Sequence, residues 1–518
     1  MLLAAYVLLG ALTLLPVFIT TIPPLIDYPN HLARMSILVH GNDGSAVTAN
    51  YLVHWRLVPN LAMDLVVPSL ARLMPLEDAG RCFILLTMAL LFIGTVLLHR
   101  VLHGRLGLWP LTALLFVYNT ALWWGFLGYL FGLGMALLGF TAWLATARWK
   151  ISIRLVVFAL LSCVLYVLHL FAFGVYGLLV ASHATGALGR RAEWSRPKIA
   201  AASLVLVQFI PAGALWLLSA GGPSFTAYGD YMKRVYGLIA PATFNFPPTL
   251  LDLAILMMPV FLGFLATRGA AAIRLHPSMR LPLIAMAVVS ALIPTFLNGS
   301  WLAQIRLPIA LVFVAIASTR IEAVKRVPVA VFAALVLLLL GLRIWTVAEE
   351  WRAIDPRIAE LRTAMNTMPE GVRVLMVQDT ETGEGPEQTG FIRLLGNQPW
   401  MTYLHWPVLA VIDRGAFVPP LFTNWFPIDP APRNIGLPRT IGGDLKSQEL
   451  IERAHLPPEA AVQGEPNPLG ELPCCYSWPR NFDFVVWTDL GKPPETLPPE
   501  LEPWADGSFF HIYKVRRP

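Results

Sequence analysis

The chain has 518 residues, of which 56% are hydrophobic and only 14% are charged. This composition lies far outside the range of soluble globular proteins, so a lipid bilayer is the expected solvent for most of the chain. The formal net charge of +6 does not indicate nucleic-acid binding, because Lys and Arg stand in short clusters between apolar runs rather than along one basic face.

An apolar run over residues 2–22 opens the chain and is long enough to cross a bilayer, which takes about 20 residues in a helix. The run resembles a secretory signal peptide in length. It lacks the positive charges that precede such a signal, and no small-residue cleavage site stands before Asp27. We therefore predict an uncleaved first span.

Basic clusters between the later apolar runs predict the orientation of the chain, because short cytoplasmic loops are rich in Lys and Arg. The predicted cytoplasmic loops are 99–105, 148–154, 190–198, 268–280 and 320–326. An even number of spans must separate each of these loops from the next. The spans expected after residue 105 are two within 108–147, two short helices that turn near His169, and single spans near 199–219, 248–267, 281–297, 307–319 and 327–345.

These rules give about eleven spans, with the amino terminus in the cytoplasm and everything after Trp345 outside. The outer segments are then the first loop (23–80), the turns near Trp123 and His169, and the segments 219–247 and 298–306. The predicted fold class is mainly α: a polytopic transmembrane helical bundle over residues 1–345, followed by an extracytoplasmic α/β domain over residues 346–518.

The C-terminal region changes character, with many prolines, mixed charge and short β-rich runs. Helical spacing predicts a helix over 349–368, and apolar runs predict buried strands over 372–378, 482–488 and 509–515. The Pro-rich segments 427–438 and 493–503 are expected to be irregular.

Asp27 is the first candidate for chemistry, because it stands where the first span leaves the hydrocarbon. A partly desolvated carboxylate there can serve as a general base, and His31 and Arg34 follow at roughly helical spacing. The alternative is that Asp27 caps a helix that begins before Pro29.

A second acid, Asp64, follows Asn60 by one helical turn in an otherwise apolar segment of the same loop. This spacing predicts an amphipathic helix at the membrane interface. Asp64 is then either a polar-face residue or a second acid directed toward a cavity.

The other outer segments supply cations and aromatic rings, which suit a phosphate and a sugar respectively. The candidates are Tyr228, Tyr231, Lys233, Arg234 and Arg306, and the acid Asp230 in the same segment is a further candidate to bind substrate. Lys233, Arg234 and Arg306 could equally contact lipid headgroups. His169, between two leucines, is expected to be a packed histidine.

The sequence has no Walker loop, dinucleotide fingerprint, HExxH or CxxC motif, so nucleotide-driven pumping and zinc chemistry have no support. No metal site is predicted with certainty. Asp27 and Asp64 together could hold a divalent cation, although a hard cation needs more oxygen ligands than these two acids supply.

The layout resembles the GT-C superfamily of integral membrane glycosyltransferases, which use polyprenyl-phosphate-linked sugars. The resemblance rests on many spans, a long first outer loop with Asp27 just after the first span, and an outer C-terminal domain. Many members carry an Asp-Glu pair at this position, whereas here Asp27 is followed by Tyr28, with no second acid until Asp43. A catalytic share for Asp64 therefore stays open.

The resemblance implies an inverting transferase in a bacterial inner membrane, with a periplasmic C-terminal domain. Asp27 would accept the proton of an acceptor hydroxyl on a lipid, glycan or protein, and the cations Lys233, Arg234 and Arg306 are candidates to neutralise the leaving phosphate. The alternatives are a secondary transporter or flippase of a lipid-linked substrate and a catalytically inactive scaffold of the same fold. The predicted spans contain almost no ionisable residues, which favours an interfacial site over a transport pathway.

Overall fold

The computed structural model is mainly helical, with short β-sheets between the helices and a small sheet region near the C-terminus. Its buried apolar side chains form one cluster that extends from the first helix to the last strand. The structure describes residues 2–189, 195–219, 226–229, 231–245, 248–297, 300–378, 403–419, 421–423, 426–434, 437, 447–454, 475, 477–488 and 497–517.

Fifteen α-helices lie among the described residues from Leu2 to Met365. They are α1 (Leu2–Leu14), α2 (Tyr28–His40), α3 (Ala62–Leu70), α4 (Leu76–His103), α5 (Thr120–Trp123), α6 (Leu127–Ala145), α7 (Ile151–Leu168), α8 (Leu170–Gly186), α9 (Arg196–Leu204), α10 (Ile210–Leu218), α11 (Tyr231–Ile239), α12 (Leu250–Thr267), α13 (Arg280–Leu292), α14 (Ala303–Ser318) and α15 (Arg326–Met365). Short helices follow at Ala410–Arg414, Ser447–Arg453 and Trp478–Asn481.

Six helices in the described part of the chain are long and apolar enough to cross a membrane. They are α4, α6, α7, the helical segment Arg196–Leu218, α12 and α15. Shorter apolar helices are Leu2–Phe18, α8, Pro277–Leu292 and α14. These helices give the chain the character of a membrane protein, while the total of about eleven spans and their orientation stay predictions.

Two predicted spans take other forms. The run over 2–22 ends as a helix at Phe18, and its last turn, Leu15–Phe18, is a 3₁₀-helix that contains Pro16. The first half of 108–147 forms a 3₁₀-helix, Trp109–Phe116, that is buried from Pro110 onward. An apolar run buried among neighbouring helices has the same composition as a span, so periodicity could not distinguish the two.

The last predicted span and the predicted helix over 349–368 are one element. Helix α15 runs without a break for 40 residues, about 60 Å at the usual rise. Its apolar first half is long enough to cross a membrane, and its polar second half reaches the C-terminal region.

The C-terminal sheet contains the three predicted strands as β6 (Val374–Gln378), β8 (Phe484–Thr488) and β10 (Phe510–Val515). With the further strand β9 (Leu501–Asp506), the strand order is β6-β8-β10-β9, with β6 parallel to β8 and the other pairs antiparallel. The prediction of an irregular segment over 493–503 is wrong in part, because β9 (Leu501–Asp506) begins there. It is an edge strand, where Pro503, which lacks a backbone donor, is tolerated.

Two small sheets join loops that are distant in the sequence. Strand β3 (Ala271–Leu275) pairs with β5 (Thr319–Ala323), so two of the predicted cytoplasmic loops lie together. Strand β2 (Thr226–Ala227) pairs with β4 (Phe296–Leu297), which brings the segments around residues 226 and 297 into contact.

The first loop ends before α4 begins at Leu76, earlier than residue 80, and it packs against the C-terminal region. Its strand β1 (Tyr51–Val53) pairs with β7 (Ile428–Pro430), which lies in the segment 427–438 that was predicted to be irregular. The prediction for that segment is therefore also wrong in part.

Hydrogen bonds from Asn50 reinforce the same contact. Its Nδ2 donates to the carbonyl oxygen of Gly415 at 2.7 Å, and its Oδ1 accepts from Arg433 at 2.7 Å and from Asn434 at 2.8 Å. The two regions that were predicted to share one side of the membrane are thus in direct contact.

Candidate functional site

Asp27 is held in place through its backbone at the amino end of α2. Its N–H donates to the carbonyl oxygen of Trp124, and that of Ile26 to Trp123, each at 3.0 Å. Gly125 has a φ of +82°, and a Cβ there would lie 3.0 Å from the Asp27 nitrogen, so glycine permits this close approach. Helix α2 begins directly after Asp27, as expected, but the Asp27 side chain accepts no capping hydrogen bond. The carboxylate is therefore available to other partners.

One partner of the Asp27 carboxylate comes from the C-terminal region. Nε2 of His405 lies 3.3 Å from Oδ1 of Asp27, and the two side chains are 3% and 15% exposed respectively. On the far side of the ring, Nδ1 of His405 lies 3.5 Å from Nδ2 of Asn30. The ring of Phe422 packs edge-on against the His405 ring. The histidine is thus enclosed, whereas the Asp27 carboxylate is partly exposed.

Arg306, near the start of α14, is a buried cation with unused donors. Its Nε and Nη1 atoms are buried and have no hydrogen-bond partner among the described residues, and Nη2 makes only a long bond, 3.4 Å, to the carbonyl oxygen of Trp301. The guanidinium interacts electrostatically with Asp27. A buried charge is costly unless it is paired and hydrogen-bonded, so these free donors indicate capacity for an anionic ligand.

Aromatic rings surround the Arg306 guanidinium. The rings of Phe126 and Phe171 each lie 4.7 Å from its central carbon, and Tyr129 lies at 5.8 Å. The Tyr129 hydroxyl also donates a short hydrogen bond to the Arg306 carbonyl oxygen. His169 packs edge-on against Tyr129, as the packed-histidine interpretation expected, and its Nδ1 accepts from the Phe171 N–H. These rings favour the charged guanidinium and fix its position without occupying its donors.

Asp64 forms a closed ion pair with Arg34. Nε of Arg34 donates to Oδ1 at 3.1 Å and Nη2 to Oδ2 at 2.6 Å, while the Asp64 side chain is fully buried. The ring of Phe426 covers the guanidinium at 3.6 Å. Burial raises the pKa of Asp64, and Arg34 opposes that shift. Both carboxylate oxygens are engaged, so the structure does not direct Asp64 toward an open cavity or bring it to Asp27 as a free second acid.

Asn60 and His31, two further candidates from the first loop, make different contacts. Asn60 has a left-handed backbone with a φ of +72°, and its Oδ1 accepts from the Leu170 N–H at 3.1 Å. It therefore joins the first loop to the turn near His169. His31 lies on α2 against Phe422, and its Nδ1 is buried without a hydrogen-bond partner among the described residues. Burial lowers its pKa well below the usual range, with smaller contributions from Arg34 and His405.

Tyr228 and Arg234 contact each other, and neither is among the described residues that contact Asp27. The Arg234 guanidinium lies 5.4 Å from the Tyr228 ring, and its Nη1 makes a long bond, 3.4 Å, to the carbonyl oxygen of Ala291. Arg234 borders a cavity of about 180 Å³ that Gln304 and Ser290 also line. Asp230 and the side chains of Tyr231 and Lys233, also predicted to bind substrate, lie outside the described residues.

Within the described ranges, no group of three or more His, Cys, Asp or Glu side chains is arranged to hold a metal ion. The predicted cation site would need Asp27 and Asp64 together. Arg34 already occupies both oxygens of Asp64, so this pair does not offer two free carboxylates.

Several residues of the site were not found from the sequence. His405, Asn30, Phe126 and Phe171 have no local pattern that marks them as functional, because their roles depend on contacts between distant segments. An asparagine in the apolar start of α2 was the one available signal, since buried polar side chains need partners.

No protein-family model matches this chain, and no curated protein or solved structure matches it significantly.

Proposed function

We propose that the chain is an inverting membrane glycosyltransferase of the GT-C type, which transfers a hexose or pentose from a polyprenyl-phosphate donor to a lipid, glycan or protein acceptor. One observation carries this proposal: a partly exposed carboxylate, Asp27, interacts electrostatically with a buried arginine, Arg306, whose Nε and Nη1 have no hydrogen-bond partner among the described residues. A base, together with a cation that can bind an anion, is what displacement of a phosphate by a hydroxyl requires.

Asp27 and Arg306 have separate roles in the proposed transfer step. Asp27 takes the proton of the acceptor hydroxyl as its oxygen forms a bond to the anomeric carbon. The bond from that carbon to the phosphate oxygen breaks, and its electron pair stays on the phosphate. Arg306 neutralises the added charge through Nε and Nη1, and protonated Asp27 then returns its proton to water.

The aromatic cage suits a phosphate that arrives on a lipid. Phe126, Tyr129 and Phe171 exclude water from Arg306, and an electrostatic contact is stronger where water is excluded. Arg306 lies in α14, an apolar helix, so an isoprenoid tail could remain among the helices while its headgroup reaches the guanidinium.

Asp64 is proposed to support the site rather than to react. Its ion pair with Arg34 joins α3 to α2, the helix that begins directly after Asp27. The proposed location is a bacterial inner membrane, with the first loop and the C-terminal region in the periplasm. Reporter fusions after Trp345 and within residues 190–198 test that orientation, and a cytoplasmic C-terminal region would overturn it.

The test of function is transfer of labelled sugar from polyprenyl-phosphate hexoses and pentoses in membranes that contain the wild type or Asp27→Asn. The matched control is Asp43→Asn, an exposed acid of the same loop, where hydrogen bonds from Ser45 and then His40 lower the pKa to about 2. We expect transfer by the wild type and Asp43→Asn, and a loss of about 10²–10⁴-fold in Asp27→Asn.

Full activity in Asp27→Asn would remove the base assignment. Absence of turnover by the wild type with every donor would overturn the proposal and favour a transporter, a flippase or an inactive scaffold.

A further inference from the structure

We infer that His405 is a positioning residue for Asp27, so that the C-terminal region completes the site of the first loop. This inference rests on the proposed function of Asp27. It follows from a chain of contacts that runs from the backbone of Phe422 through Asn30 and His405 to the carboxylate.

The orientation of Asn30 is set first. Its Oδ1 accepts a hydrogen bond from the Phe422 N–H at 2.8 Å. The other end of the amide, Nδ2, therefore faces the His405 ring, at 3.5 Å from Nδ1. An amide nitrogen can only donate, because it has no lone pair available to accept a hydrogen bond.

The tautomer of His405 follows from that orientation. Nδ1 faces a donor, so it must be the nitrogen without a proton, and the neutral ring carries its proton on Nε2. Nε2 is the atom that lies 3.3 Å from Oδ1 of Asp27. The nitrogen that carries the proton is therefore the one nearest the carboxylate, and the contact between Nδ1 and Asn30 determines which nitrogen that is.

His405 and Asp27 differ in burial, and this difference assigns them different roles. His405 is 3% exposed and enclosed by Phe422, whereas Asp27 is 15% exposed. A substrate can therefore reach the carboxylate, and the histidine acts through it by fixing its side-chain rotamer and leaving the remaining oxygen to take the proton. Catalytic groups need supporting contacts of this kind, since a small displacement of the base lowers the rate strongly.

The test compares His405→Leu, which removes the donor, with His405→Gln, whose amide can both accept from Asn30 and donate to Asp27. A matched control is His54→Leu. His54 also contacts an aspartate across the boundary between the first loop and the C-terminal region, with Nδ1 at 3.1 Å from Oδ2 of Asp429, but it is exposed.

For the labelled transfer reaction, we expect His405→Leu to lower kcat about 10–100-fold with little change in the donor KM, because binding through Arg306 is intact. We expect His405→Gln to recover most of that loss and His54→Leu to match the wild type. Equal kcat in His405→Leu and the wild type would overturn the inference while leaving the proposed function in place.

Equal losses in His405→Leu and His405→Gln would also overturn the inference, because a purely steric role would not distinguish a donor from its absence. Thermal unfolding of each variant separates lost folding from lost positioning. Inactivity of the wild type itself would instead contradict the proposed function.

Discussion

Two buried arginines near the first loop differ in their pairing with carboxylates. Arg34 gives two hydrogen bonds to Asp64, its Nη1 has no hydrogen-bond partner among the described residues, and no part of the Asp64 side chain is exposed. Arg306 has two buried nitrogens without hydrogen-bond partners among the described residues, and Asp27, which interacts with it electrostatically, stays partly exposed. An arginine and an aspartate thus form a buried ion pair in the first, closed case, whereas in the second, open case the arginine has nitrogens without partners in the described part of the chain and the aspartate is partly exposed. The closed pair is typical of structure, and the open arrangement is typical of a binding site.

Removal of the open carboxylate should have the largest effect. Asp27→Asn keeps the size of the side chain but removes the base, so transfer should fall about 10²–10⁴-fold. Labelled transfer, normalised to the amount of folded protein, measures this loss. Because Asp27 makes no capping hydrogen bond, we expect the thermal unfolding of the variant to match that of the wild type.

Removal of the open cation should separate activity from stability. Arg306→Met eliminates the donors for the phosphate, and transfer should fall about 10²–10³-fold. The same change removes an unpaired buried charge, so the unfolding temperature should stay equal or rise. A large fall in unfolding temperature would show that the wild-type guanidinium is paired by the protein itself.

Disruption of the closed pair should act on stability instead. Asp64→Asn leaves Arg34 buried without its carboxylate and should lower the free energy of unfolding by about 3–5 kcal/mol. The double variant Arg34→Met with Asp64→Leu removes both charges and should recover most of that loss. Denaturant unfolding in detergent measures both. Failure of the double variant to recover would indicate that the charges do more than pair with each other.

His31 should contribute to the pH dependence of stability. Burial lowers its pKa in the folded state, so the unfolded state binds a proton that the folded state does not. Stability from this group is therefore complete above the ordinary histidine pKa and declines as the pH falls below it. His31→Phe should reduce the slope of unfolding free energy against pH by up to one proton at pH values below about 6.5. An unchanged slope would contradict the burial account.

The smallest effect is expected at Tyr228, which is 63% exposed and contacts Arg234. Tyr228→Ala should change the free energy of unfolding by less than about 0.5 kcal/mol. If transfer fell more than about tenfold, the cavity beside Arg234 would belong to the substrate path, and the site would be larger than the Asp27 region.

Local patterns in the sequence predicted much of the fold. The apolar runs at α12 and α15 and the three buried strands were predicted because length and composition mark them directly. The 3₁₀-helix Trp109–Phe116 and the edge strand β9 were not, since surrounding helices and a neighbouring strand determine those forms.

The candidate site, like the fold, could be predicted from the sequence only in part. Asp27, Arg34, Asp64 and Arg306 were each predicted from charge and position, but the sequence could not say that Arg34 pairs with Asp64 while Arg306 has no such partner among the described residues. His405 could not be identified from the sequence, because its contact with Asp27 joins the C-terminal region to the first loop. Such pairings depend on the packed tertiary structure and leave no local periodicity.

The most direct measurement of the contrast is labelled sugar transfer, per folded protein, by Asp27→Asn and by the double variant Arg34→Met with Asp64→Leu. The contrast predicts that Asp27→Asn loses transfer activity at least about 10²-fold, while the double variant stays within about tenfold of the wild type. Near-normal transfer by Asp27→Asn, with loss of transfer in the folded double variant, would contradict it.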